Sequence, residues 1–408
     1  MSIRTLVNIC HQTTRDDILG TVNGDRIYCD HAAATPLDER VLAVMQPYFA
    51  EQFYNPSSPY APAVHVRRAY REAKHQLAVA IGGQADDIVI TAGATESINL
   101  MFNGVHGHVV TANIEHHAVL AAAQRHEACT IVAADAKGRV DPASVARAIR
   151  PDTVLISIAL ANNELGTIQP LRDIAAVVQR ERQRRAEAGE PTPIYFHSDA
   201  SQGVGQCDVT VSRLGVDALT LNAGKIYGPK QVGLLWLAHH VRLDPLIVGG
   251  GQERGLRSGT ENVAGVIGFA KALELAQAHR KFEARRLASL RDTMQQSLCD
   301  AIPQAVVSGD QHHRLAGHLH IAFPEIDAER LLFMLETNGV LVATGSACAA
   351  NKGTRSHVLT AIGLGPAVAD GSIRISLGRL STEENCRQAA EYIIAVVRHE
   401  YQRTGRYA

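Results

Sequence analysis

Residues 153–181 read TVLISIALANNELGTIQPLRDIAAVVQRE: an unbroken apolar run, a polar loop, then a segment with helical rhythm. A strand apolar on both faces is buried on both, the condition of a parallel sheet sandwiched between helices. The same kind of unit recurs earlier in the chain. DDIVITAGATESINLMFNG at 86–104 reads as strand, glycine turn and helix, and HVVTANIEHHAVLAAAQRH at 108–126 as strand, loop and helix. IYFHSDASQGVG (194–205) and VDALTLNAGKIYGPKQVGLLWL (216–237) add short buried strands that run into polar, glycine-rich turns. Strands alternating with helices specify an α/β fold with a largely parallel sheet covered on both faces. Ligands of such sheets sit beyond the carboxyl ends of the strands, where these polar loops fall.

Outward from this block, the first 26 residues carry no clear element, and RIYCDHAAATP (26–36) reads as a short strand leaving a polar turn. Residues 67–81 have a helical rhythm. The run QRERQRRAEAGEPTP (179–193) reads either as a solvated helix end and surface turn or as an insertion that meets an acidic partner. A charge-laced amphipathic helix over 271–300 connects to a second unit. That unit has strands at HLHIAFP (318–324) and GSIRISLG (371–378) and helices at 327–339 and 382–402, an order that suits a smaller α+β domain. The division expected is an N-terminal extension and small-domain segment (1–30), a large domain built on the parallel sheet (31–275) and a small C-terminal domain (276–408).

The chain has 408 residues, with 41 acidic against 40 basic side chains, so no broad cationic surface for nucleic acid is expected. Seven cysteines without regular spacing do not form a secreted disulfide framework. The start, MSIRTLVNICHQTTRDDILG, lacks the basic-then-apolar order of a secretory signal, and no apolar run is long enough for a membrane span. A soluble cytoplasmic protein is the expectation.

Three features at strand ends bear on chemistry. Lys225 lies in a tight turn just beyond an apolar strand; a lone lysine there also reads as a solvent-facing group or an anion contact. Asp199 ends the strand-like YFHSD. Gly93, Ala94 and Thr95 sit where a strand turns into a helix, and backbone N–H groups with a threonine hydroxyl at a helix start suit a phosphate. A carboxylate can keep a pyridinium nitrogen protonated, and a lysine amine can join an aldehyde as a Schiff base. Phosphate, pyridinium and aldehyde together describe pyridoxal 5'-phosphate.

The chain resembles the cysteine desulfurases, pyridoxal-phosphate enzymes of the class V aminotransferase group, from about Tyr28 to its C-terminus. The resemblance rests on YCDHAAATP, TAGATESINL, IEHHAVL, ANNELGTIQP, HSDASQGVG, GKIYGPKQVG, GGGQERGLRSGTENV, ATGSACAA and SIRISLGR, in that order. It implies the fold type I of pyridoxal-phosphate aminotransferases, with a large, mostly parallel sheet domain and a smaller α+β domain formed by the two chain ends. It also implies a homodimer. The activity implied converts L-cysteine to L-alanine and leaves a persulfide that passes to an acceptor protein.

Carried over by motif, the resemblance makes Lys225 the Schiff-base lysine and Asp199 the partner of the pyridine nitrogen. Gln202 and Asn163 would lie near the phenolic oxygen, Asn163 also near the substrate. His116 would stack on the ring and move protons. Ala94 and Thr95 match the phosphate loop, and Thr260 would reach the phosphate of the other subunit. Arg374 would clamp the substrate carboxylate through the bidentate geometry of guanidinium. Cys348 in ATGSACAA would be the sulfur acceptor; alone, such a cysteine reads as a small buried group. The run ATGSACAANKGTRS resembles the longer-loop subgroup. Cys10, Cys29, Cys129, Cys207, Cys299 and Cys386 read as structural or incidental, with Cys29 closest to the N-terminal active-site loop.

One departure matters. The family's serine-glycine-histidine-lysine is here Asn222, Ala223, Gly224, Lys225. Asn222 can still donate a hydrogen bond, whereas Gly224 has no side chain. Weaker cofactor retention, a compensating residue, or loss of activity are the outcomes open. Of the 19 histidines, the HLH of 318–320 would place two imidazoles on one strand face, a spacing compatible with a metal but common without one. A selenocysteine lyase, a class V aminotransferase that does not depend on Cys348, and a weakly active, partner-activated scaffold are the alternatives. The sulfur could serve iron–sulfur assembly or thio-modification of tRNA or DNA.

Overall fold

The computed structural model describes residues 26–345 and 355–405, and every structural statement below concerns those residues. Along the chain, β1 (Ile27–Tyr28), α1 (Glu39–Met45), α2 (Pro47–Ala50) and α3 (Ala61–Ile81) lead into β2 (Ile88–Thr91), α4 (Ala94–Asn103), β3 (His108–Ala112), α5 (His117–Ala123) and β4 (Cys129–Val132). Next come α6 (Pro142–Ala148), β5 (Thr153–Ser157), α7 (Leu171–Ala188), β6 (Tyr195–Asp199), α8 (Val211–Leu214), β7 (Ala218–Asn222) and β8 (Gly233–Leu237). Then α9 (Val263–Ala301), β9 (Val306–Val307), β10 (His318–Ala322), α10 (Ala328–Thr337), β11 (Val340–Leu341) and β12 (Ala343–Thr344) follow. The described chain ends with α11 (His357–Ala361), α12 (Pro366–Ala369), β13 (Ser372–Ser376) and α13 (Glu383–Arg403).

The apolar runs read from the sequence form one sheet in the order β2-β8-β7-β6-β5-β3-β4. Its strands are parallel except β8, which lies antiparallel between β2 and β7. Strands β2, β3, β5, β7 and β8 are buried at nearly every position, as expected for a sheet covered on both faces. Because β2, β3, β5, β6 and β7 run the same way, the loops after Thr91, Ala112, Ser157, Asp199 and Asn222 share one edge.

Two helices are longer than their sequence signals. The helix expected over 67–81 begins at Ala61, where a proline in the first turn starts it without a side-chain cap, and ends at Gly82 in the left-handed region (φ 73°). The helix expected over 271–300 begins at Val263, capped by the Asn262 side chain, which accepts from the Gly265 N–H. Its first turns are small and apolar all round because they sit inside the large core, so they show no amphipathic alternation. From Val263 to Ala276 this helix packs in the core of the large sheet, and from Leu287 to Leu298 in a second core. One unbroken helix thus serves both hydrophobic units.

The second core is built on the antiparallel sheet β12-β13-β10-β9. Alternation decides its two faces: Leu319, Ile321, Ile373 and Ile375 enter the core, while His318, His320, Arg374 and Ser376 occupy the other face. Across the strands His318 lies opposite Ser376 and His320 opposite Arg374. The N-terminal segment joins this unit. β1 pairs parallel with β11, Asp30 bridges to Ser376, and Ile27 and Cys29 pack in the second core.

The arginine-rich end of α7 is partly internal. Arg185 is buried and donates to the backbone oxygens of Thr153, Thr192 and Arg150, and Arg182 bonds Ile194 O and the Asp217 carboxylate. Two of its arginines therefore staple the helix end to the sheet.

Candidate active site

The shared strand edge opens into a cleft of about 1180 Å³, part of it facing solvent. Asp199 is the last residue of β6, and its Oδ1 accepts from the Ser201 N–H at 2.9 Å, which fixes the carboxylate at the mouth of the strand. Lys225 ends a short 3₁₀ turn after β7. Asn222 caps that turn by accepting from the Gly224 N–H at 3.0 Å. The Lys225 ammonium donates to Ala32 O at 2.8 Å and Ala33 O at 2.7 Å, and Gln202 Nε2 also donates to Ala32 O, at 3.1 Å. Thr35 ties the same HAAATP segment to the lysine turn: its hydroxyl donates to Gly224 O and accepts from the Tyr227 N–H. A segment nearly two hundred residues away in sequence thus sets the position of the amine. Burial lowers the Lys225 pKa; the positive charge of Arg374 adds to this and Asp199 opposes it.

Gly93 stands at the start of α4 with φ 128°, a backbone that excludes other residues, and a Cβ on Gly233 would come within 2.7 Å of Gly93. Strand β8 therefore passes close under the loop that presents the N–H groups of Ala94 and Thr95, both lining the cleft. An ideal Cβ on Gly93 would lie 4.0 Å from Asn222 Nδ2, so the free amide end of Asn222 faces this loop. At Gly224 a Cβ would meet Lys230 Cδ at 3.2 Å, and the Lys230 ammonium is held by Thr35 O. Lys230 therefore runs beside the position of the family's histidine without replacing it in the cleft.

His116 caps α5, its Nδ1 accepting from the Ala118 N–H at 3.1 Å, which leaves the proton of the neutral ring on Nε2. Its ring opens onto the cleft; enclosure by protein lowers its pKa, an effect Asp199 opposes and His117, Lys225 and His357 reinforce. Arg374, 3% exposed, donates from Nη1 to Asn163 O at 2.9 Å and from Nη2 to Asp30 at 2.7 Å. Its buried Nε has no hydrogen-bond partner among the described residues. Ala94, Thr95, His116, Asn163, Gln202, Asn222, Lys225 and Arg374 line one cleft with Asp199, so the structure brings together residues predicted from six separate motifs. Thr260 is the exception: it is exposed and lines a separate pocket with Tyr70 and Arg257. Cys348 and Cys10 lie outside the described residues.

Several groups in or beside the cleft carry no sequence signal of their own. Glu115 is 3% exposed, accepts from the Ala159 N–H through Oε1, and has its pKa pushed up to about 8, chiefly by burial. Glu164 is buried, accepts from Ser356 Oγ at 2.5 Å and lies 2.6 Å from where a Cβ on Gly345 would be. The His117 ring packs at 4.5 Å against His357, tilted by 47°, and His357 Nε2 donates to Glu115 O. Only their neighbourhood to ANNELG and EHH could have pointed to them. The HLH pair occupies one strand face as expected, but no group of three or more metal-ligating side chains converges among the described residues.

The arrangement fits pyridoxal 5'-phosphate. The α4 loop with the Asn222 amide would hold the phosphate, Asp199 the ring nitrogen, Gln202 the phenolic side and Lys225 the aldehyde. The other described cysteines are poor nucleophiles: burial pushes Cys29 and Cys207 up to about 12 and Cys386 up to about 11, and raises Cys129 and Cys299.

Comparison with known proteins agrees. Residues 27–388 match the family model "Aminotransferase class-V". The cysteine desulfurase IscS of Dictyoglomus turgidum is 39% identical over 382 residues, covering 91% of this chain and 94% of that protein. Among solved structures, a NifS-like protein superposes with a TM-score of 0.83 at 32% identity, covering 92% of this chain and all of the other. SspA in complex with cysteine does so with a TM-score of 0.72 at 34% identity, over 86% of this chain and 98% of SspA. The chain belongs to the class V aminotransferase family and is a pyridoxal-phosphate-dependent cysteine desulfurase.

Proposed function

We propose that Cys348 is the residue that takes sulfur from L-cysteine and that the cleft built around Lys225, Asp199 and Arg374 prepares the substrate for it. The observation that carries this reading is the convergence of a lysine amine, a strand-end carboxylate and a buried guanidinium in one cleft. The bound cofactor supplies an electron sink for charge developing at the substrate Cα. Arg374, which lines the cleft, binds the substrate carboxylate through its guanidinium. Lys225, its pKa lowered, takes the Cα proton, and the Asp199 carboxylate keeps the pyridine nitrogen protonated. His116 Nε2–H stands on the open side of the cleft as a proton donor. The Cys348 thiolate attacks the substrate sulfur: the substrate C–S bond breaks, an S–S bond forms, and L-alanine leaves after protonation at Cβ and Cα. The persulfide then passes to an acceptor protein.

Two observations support Cys348. Gly345 and Ser356, described residues on either side of it in sequence, both abut Glu164 of the cleft. The five described cysteines all have raised pKa values, so none offers a ready thiolate. A homodimer is part of the same reading: Thr260 lies outside the cleft of its own chain, in keeping with a contact to the partner copy's cofactor phosphate. The near-balance of acidic and basic residues supports sulfur delivery to a protein and not broad nucleic-acid binding, and cysteines without the spacing of a disulfide framework support the cytoplasm as the site of action.

Lys225→Ala should abolish the visible absorbance of the bound cofactor; an unchanged spectrum removes the lysine assignment. Cys348→Ser should bind cofactor and cysteine but form neither alanine nor persulfide by turnover. Retained desulfuration would refute the acceptor role.

A further inference from the structure

The arm that leads into α9 carries Thr260, which is exposed and stands outside the cleft of its own chain. Two carboxylates tie this arm to the strand and loop that build the chain's own phosphate cradle. Glu253 accepts from the Tyr70 hydroxyl at 2.5 Å, the Lys74 ammonium at 2.9 Å and the Ile90 N–H of β2 at 2.7 Å. Glu253 and Arg254 both hold left-handed backbone there, with φ of 48° and 62°. A residue with a Cβ adopts that conformation only where its surroundings enforce it.

Glu96, in the first turn of α4, works from the other side. Its Oε2 accepts from the Ala92 N–H at 2.9 Å, which pins the backbone leading into Gly93, Ala94 and Thr95. Its Oε1 accepts from Arg257 Nε at 2.8 Å. Arg257 Nη1 lies 3.8 Å from where a Cβ on Gly259 would be, and Gly259 holds φ 126°, a backbone that favours glycine. The Gly259 N–H donates to Gln252 Oε1 at 3.0 Å, and the next residue is Thr260. One carboxylate thus grips the chain's own cradle with one oxygen and the root of the Thr260 arm with the other. Both Glu96 and Arg257 stay partly exposed, so their ion pair lies outside the hydrophobic cores and fixes the relative position of two loops.

We infer that Arg257 is a positioning residue for the cofactor of the partner copy. Anchored on Glu96, it sets the Thr260 hydroxyl where the partner copy's cofactor phosphate lies, so the cradle of one chain aligns the contact made to the other site. The inference rests on the reading that Thr260 meets that phosphate in a homodimer, and the test separates the two.

Mixed dimers purified through two different tags leave one cofactor site with Lys225. In the first pairing Arg257→Met and Lys225→Ala share one chain and the other chain is unmutated; in the second they are on opposite chains. Methionine keeps most of the arginine stem and removes the charge. The dimers are dialysed against a series of cofactor concentrations, borohydride fixes bound cofactor to Lys225, and mass spectrometry reads the occupied fraction of that chain. The first pairing should bind cofactor about tenfold less tightly than a dimer with Lys225→Ala alone, the low end for losing one hydrogen bond to a charged group. The second should match that dimer, because its remaining site faces an intact arm. Equal affinity in the two pairings overturns the inference, whether both are tight or both loosened, and so does a loss confined to the second. Thr260→Val in place of Arg257→Met reports on the underlying reading. If it loosens cofactor in the first pairing, that reading stands and the Arg257 result alone decides the inference. If it does not, or if the unmutated protein sediments as a monomer, the Thr260 reading fails and the inference fails with it.

Discussion

Glu115→Gln tests how burial controls the charge of a carboxyl group beside the cleft. Glu115 is 3% exposed; Oε1 accepts from the Ala159 N–H at 2.9 Å, while Oε2 has no hydrogen-bond partner among the described residues. Burial, aided by the negative charge of Asp199 and opposed by the Ala159 hydrogen bond, raises its pKa from 4.5 to about 8. The sign follows from the protons bound. Between pH 4.5 and 8 the folded chain holds a proton here that the unfolded chain has lost, so stability falls as pH rises through this window. The slope is about 1.4 kcal/mol per pH unit, which amounts to on the order of 5 kcal/mol across the window. Glutamine keeps the Oε1 acceptor and cannot ionise, so its stability carries no such slope. Denaturant unfolding of both proteins at pH 5, 6, 7 and 8 should show the glutamine variant gaining on the wild type with each step. Other titrating groups are common to both and cancel in the difference. Parallel pH profiles would refute the reasoning.

Three further outcomes are expected. Asn222→Ala removes the cap of the lysine turn and the amide facing Gly93, so it should lose about 1 kcal/mol of stability and release cofactor more readily, measured by unfolding and by dialysis of the holoenzyme. Arg374→Ala leaves Asp30 without its cation; it should cost about 3–5 kcal/mol if the pair behaves as buried, and raise KM for cysteine far more than Arg374→Lys raises it. Gly378→Ala drives a Cβ into His31 and the Tyr227 hydroxyl and should destabilise by about 1–3 kcal/mol in a thermal or denaturant melt.

Much of the large sheet was legible because its strands are buried on both faces, and such strands announce themselves as apolar runs of the length seen at Thr153–Ser157 and Ala218–Asn222. Asp199 and Lys225 were legible because chemistry at strand ends follows from strand direction. The start of α9 was not, since a helix surrounded by protein has no polar face to set a period. Asp30, Glu115 and Glu164 were missed as site residues for another reason: a lone carboxylate looks the same in sequence whether it is solvated or buried.

The sequence by itself determined the order of elements, the α/β class and the set of reactive side chains, because these depend on local periodicity and residue chemistry. Tertiary structure alone decided that Arg374 is held by Asp30, 344 residues earlier in the chain, and that the Lys225 ammonium is seated on Ala32 and Ala33. It also decided that His318 and His320 share the polar face of β10 as buried rings without a hydrogen-bond partner among the described residues. Such contacts arise where two hydrophobic cores close on each other along one helix, and no local pattern in either partner records them.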